Sequence, residues 1–147
     1  MPRRATTIGY RLAQLGAVGA AVGGLVDALV PTLLPHHEAY LGIQPGGATP
    51  ATASLVLLLL HTLGVALIAA GVGALALLAE WRRGGARSSA IVAAGIVLLA
   101  EGMNAWAIWR VGSPLYLGPL ACAMLVAAGV AMAVGRGADP RGEAPEG

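Results

Sequence analysis

Residues 55–79 run for about 25 positions with His61 and Thr62 as the only interruptions besides small residues. About 20 apolar residues in a helix are enough to cross the hydrocarbon core of a bilayer. Inside lipid, each backbone N–H and C=O must find its partner within the segment, so the run reads as a transmembrane helix. Three further stretches share this character, giving spans at 9–30, 53–79, 89–110 and 114–134. The chain is 57% hydrophobic and 11% charged, where a soluble domain has about a quarter of its residues charged. The expected fold class is therefore all-α, an integral membrane four-helix transmembrane bundle. Residues 1–135 form a single membrane domain, and 136–147, made of Gly, Pro and charged residues, read as a disordered cytoplasmic tail.

The connections fix the orientation. Arg3, Arg4 and Arg11 precede the first span, which is longer than a signal-peptide core and ends at Pro31 without a small-x-small cleavage site. It is read as a retained helix. Residues 31–52 hold four prolines and the Gly46–Gly47 pair, hence a loop, with 36–43 as a short interfacial helix carrying Tyr40 and Leu41 on its membrane side. All nine basic residues are arginine. With the N-terminus inside, Arg3, Arg4, Arg11, Arg82, Arg83, Arg87, Arg136 and Arg141 lie on the cytoplasmic side and Arg110 alone lies outside. That asymmetry places both termini in the cytoplasm of a multi-pass cell (inner) membrane protein. Tyr10 and Trp81 fall at the inner boundary, and Tyr40, Trp106, Trp109 and Tyr116 near the outer one. The net charge of +2 belongs to these loops, so no nucleic-acid partner is implied.

Against this background the polar residues within spans need reasons. Glu101 and Asn104 lie three residues apart, on one helical face. An ionised carboxylate at such a depth costs several kcal/mol, so Glu101 is expected to be neutral or paired with His61 or Arg110. Counting about 1.5 Å per residue from the outer ends puts Glu101 and His61 each roughly 13 Å deep, Asn104 roughly 9 Å and Asp27 roughly 6 Å. Cys122 returns to about the level of Glu101. The inner half of each span is apolar or small, which argues against a channel. The expectation is a polar pocket open to the outer side, binding a small lipophilic molecule or processing it with proton exchange. Glu101 and His61 take the catalytic roles, facing one another and sharing a proton. Asp27, Asn104, Trp106 and Arg110 contact the ligand. Isomerisation, proton shuttling and simple binding all remain open.

The plainer readings stand beside it. Asp27 reaches water or Arg110 from near the interface, and His61 packs with its ring bonded to a backbone carbonyl. Cys122 is a small packing residue, and with one cysteine there is no internal disulfide. Glu101-x-x-Asn104 has asparagine where a bundle di-metal motif carries histidine, so neither a metal nor another cofactor is expected. His36, His37 and Glu38 read as a solvated loop. Gly19, Gly23 and Asp27, with Gly16 beside them, form a stripe on span one, and His61, Gly64 and Gly71 share a face of span two, both suited to close helix approach. Such stripes also fit an alternative function: a structural or accessory subunit docking on itself as a homo-oligomer, or on a larger membrane complex. In its pattern of spans over 9–135, with a Pro/Gly loop after the first, the chain resembles the small four-helix bacterial membrane proteins of the DoxX-like kind, and no family residues are carried over. The inventory of acid, histidine, asparagine and tryptophan is similar in type to emopamil-binding-protein-like sterol isomerases, which have five spans and a different spacing.

Overall fold

The computed structural model describes residues 2–135; the side chains of residues 2–6 and of His36 lie outside that description, as does the 136–147 tail. Among the described residues the chain is helical throughout, without strands. Helix α1 covers Pro2–Leu29, α2 Pro35–Tyr40, α3 Pro50–Arg82 and α4 Arg87–Arg110, and a 3-10 turn at Pro114–Tyr116 leads into α5, Leu117–Gly135. Four helical segments, Thr7–Leu29, Pro50–Arg82, Arg87–Arg110 and Pro114–Gly135, are long and apolar enough to cross a membrane. Large apolar side chains such as Leu29, Leu58, Val65, Leu99 and Met124 point outward on all four, as lipid rather than water would allow.

Local chemistry sets the boundaries. Pro50 and Pro114 occupy first turns, where a missing N–H is harmless, and Thr49 and Ser113 accept N–H bonds from Thr52 and Leu115. Helices α3 and α4 end alike. Gly84 and Gly112 adopt φ of 98° and 73°, and the following N–H groups of Gly85 and Ser113 donate back to Glu80 and Ile108. This ties up the carbonyls that a helix end leaves open. The tight turns make α3 and α4, and then α4 and α5, antiparallel neighbours. The loop before α3 is longer and is pinned by Glu38, which is 7% exposed and accepts the Gly46 N–H at 2.8 Å. His37 Nδ1 accepts the Leu34 N–H, so the expected solvated polar loop has an internal structure of its own.

Helix α1 packs between α3 and α5, and α4 closes the ring, touching α1 only marginally across the diagonal. Two seams of very small residues make this possible. Toward α3, a Cβ on Gly24 would lie 2.5 Å from the Gly64 oxygen, and one on Gly71 would lie 2.7 Å from the Ala17 oxygen. Toward α5, a Cβ on Gly9 would lie 2.5 Å from the Gly129 oxygen, and one on Gly16 2.6 Å from the Cys122 oxygen. Backbones this close gain dispersion contacts where lipid offers no hydrophobic drive for association. The expected stripe is corrected in part: Gly23 is exposed, and a Cβ there would meet nothing within 4 Å. With neighbours on both sides, α1 needs small residues along two faces, and Gly23 belongs to neither.

A packed apolar core fills the end of the bundle that carries Arg11, Arg82, Arg83 and Arg87, the arginine end. Ala13, Ala17, Ala74, Leu78, Ala90, Ala93, Val97 and Val126 are buried together there, with Leu75 and Trp81 against them. Polar groups within the helices gather farther along, toward the opposite end.

Candidate functional site

Glu101 projects from α4 into the bundle and is 3% exposed. Its face follows from helical geometry: Val97 and Ala105, one turn either side, are buried with it. Asn104, three residues on, donates a side-chain hydrogen bond to the Glu101 carboxyl. Among the described residues no buried side-chain nitrogen or oxygen lacks a partner, as the cost of burying polar groups demands. Asp27 of α1 lies within electrostatic range of Glu101, as does Cys122 of α5. The structure thus gathers Glu101, Asn104, Asp27 and Cys122 from three helices.

The hydrogen bond that His61 makes at Nε2 goes to backbone and not to Glu101. This nitrogen lies 2.9 Å from the carbonyl oxygen of Val30. A carbonyl only accepts, so Nε2 carries the proton and the ring closes off the end of α1. The reason is register. Gly64 packs against Gly24 and Ala28, which puts His61 level with Val30, just past the last residue of α1. Cys122 packs its sulfur toward Gly19, eleven residues back along α1, or about 16 Å at 1.5 Å per residue. Glu101 is in electrostatic range both of Cys122 at that level and of Asp27, three residues before Val30. Equal counts from the span ends had implied equal depth, but α3 starts at Pro50 and rises well past the end of α1.

Trp106 and Arg110 are also placed elsewhere than expected. Both are exposed, and the Arg110 guanidinium lies over the Trp106 ring at 5.7 Å, within cation–π range. At about 100° per residue, position 106 is roughly 140° around α4 from Glu101, and position 110 is roughly 180° around. They face away from the buried carboxyl and belong to the outer rim of the helix. The spacing alone carried this information. Among the described residues no three His, Cys, Asp or Glu side chains converge as a metal site would require.

What sequence reasoning missed lies at the arginine end. Thr7 and Tyr10 of α1 and Trp81 and Arg82 of α3 line a groove of about 260 Å³. The Tyr10 and Trp81 rings stand 6.3 Å apart, tilted by 46°, and the Arg82 guanidinium lies over Tyr10 at 4.9 Å. The signal for it was the Glu-Trp-Arg-Arg run at 80–83, read only as a span boundary. The chain matches no protein-family model, no curated protein and no solved structure.

Proposed function

We propose that the buried carboxyl centre is the functional site of a multi-pass protein of the inner membrane, and that it serves a small lipophilic molecule entering from the outer half. The observation that carries this reading is a carboxyl group 3% exposed inside apolar helices with a second carboxyl, Asp27, in electrostatic range. In a medium of low dielectric, a second carboxyl in range adds to the cost of ionising the first. That makes the pair a positioned proton donor and acceptor. Asn104 orients Glu101, and Asp27 takes the partner role first given to His61. The arginine end faces the cytoplasm, as the loop charges require. The DoxX-like resemblance enters this proposal as a span pattern and assigns no residue.

The test is Glu101→Gln, which keeps the shape and the bond to Asn104 while removing the titrating group. Native mass spectrometry of the full chain should find a co-purifying small lipophile on the wild type and lose it from the variant, with thermal unfolding unchanged. A variant that keeps the same molecule, or one that falls apart as a bundle, favours the accessory-subunit reading instead. The glycine seams of α1 no longer speak for that alternative, because α3 and α5 already occupy them.

A further inference from the structure

The groove at the arginine end is independent of the carboxyl centre and has a composition of its own. One wall is aromatic: Tyr10 is 7% exposed and faces the half-buried Trp81. The rim is polar, with the Thr7 hydroxyl group and the Arg82 guanidinium. Arg82 lies over Tyr10, and a guanidinium stacked on a ring keeps its in-plane N–H fork for an anion, matching the oxygens of a phosphate. Among the described residues the same end carries Arg11, Arg83 and Arg87 against the single acid Glu80, so cations outnumber acids there. Deeper along the same helices, Val18 of α1 and Val72 of α3 are exposed, about 20° and 80° around from Thr7 and Arg82 respectively. A ligand filling this site has an anionic head for the arginine and apolar chains for the helix faces.

We infer that this groove holds the phosphate of an anionic phospholipid, with Arg82 as the principal donor and the Tyr10–Trp81 wall as the platform beneath the headgroup. The site lies at the level where aromatic side chains and headgroups meet, and each arginine near an anionic leaflet adds measurable attraction. A soluble phosphate ester shares the head chemistry but leaves the apolar faces unused, so the lipid is the better occupant.

The experiment uses the full-length protein in detergent, titrated with phosphatidylglycerol or with phosphatidylcholine and read by native mass spectrometry. Wild type should retain one phosphatidylglycerol per chain through washing and should prefer it to phosphatidylcholine. Arg82→Gln should bind it about five- to tenfold more weakly, while Arg110→Gln, the same charge change at the other end, should bind as wild type does. Should Arg82→Gln fail to fold, Arg82→Lys keeps the charge without the fork and should bind more weakly than wild type; equal binding would overturn the assignment. Equal loss in the Arg82 and Arg110 variants would reduce the effect to net charge and overturn it too. So would displacement of the lipid by millimolar inorganic phosphate, which would make the groove a site for the soluble ion.

Discussion

Replacing Gly24 by alanine adds one carbon atom at the crossing of α1 and α3. That carbon would sit 2.5 Å from the Gly64 carbonyl oxygen and 2.7 Å from both the Ile68 nitrogen and the Leu67 Cβ. Two of these three are backbone atoms, so no side-chain rotation relieves the clash. Restoring an ordinary 3.4 Å contact moves the helices apart by about 0.9 Å, and a gap of that size forfeits roughly a quarter to a half of each attractive contact along the seam. The seam extends through Ala17, Ala21, Ala28, Gly64 and Gly71, so the loss is shared widely. Overpacking costs about 1–3 kcal/mol, and backbone on both sides argues for the upper half, about 2–3 kcal/mol. Gly23→Ala is the matched control. It carries the same gain in helix propensity, about 1 kcal/mol, with nothing within 4 Å to strike. Reversible unfolding of both variants in mixed micelles isolates the clash as their difference. A difference below about 0.5 kcal/mol, or Gly23→Ala as the weaker of the two, would refute the packing argument.

In a Cys122→Ala background, a cysteine at Gly46 should be labelled from the periplasm and one at Gly85 only from the cytoplasm; the reverse at either position would remove the topology on which the proposed function rests. His61→Leu should cost about 1–2 kcal/mol by orphaning the Val30 carbonyl, yet leave the infrared carboxyl band assigned by Glu101→Gln in place; a shift of that band would restore the His61–Glu101 pairing. Asn104→Leu should alter that band and weaken retention of the co-purified lipophile, and an unchanged band would detach Asn104 from the centre. Trp106→Ala should leave lipophile retention as it is, since the ring lies on the outer rim; loss of the molecule would return Trp106 to the binding site.

Span number and character were legible because length and apolarity alone decide what crosses a bilayer. Helix ends were nearly so, since Pro50, Gly84, Gly112 and Pro114 mark them by backbone chemistry. That Glu101 and Asn104 share a face followed from a spacing of three, while the bond between them was not foreseen, Asn104 having been assigned to the ligand. The angular positions of Trp106 and Arg110 were equally available from spacing and were passed over in favour of residue type. The depth of His61 was not available. It depends on how far α3 slides along α1, and the Gly24–Gly64 crossing sets that slide. Nor could the idle Gly23 be told from Gly24, because adjacent glycines differ by only one step around the helix.

The packed alanine, valine and leucine core at the arginine end also has an electrical consequence. On the proposed reading, in which the carboxyl centre is reached from the outer side, this core leaves no polar route onward, and the centre would store a proton rather than pass one through. On the proposed topology Glu101 stands nine residues below the outer end of α4, a helix of 24 residues. A proton reaching it from outside crosses roughly two fifths of the transmembrane voltage, about 1 kcal/mol per 100 mV. Polarising the membrane, negative inside, would then raise the ratio of protonated to ionised carboxyl about fivefold per 100 mV, and discharging it would release the proton to the side from which it came.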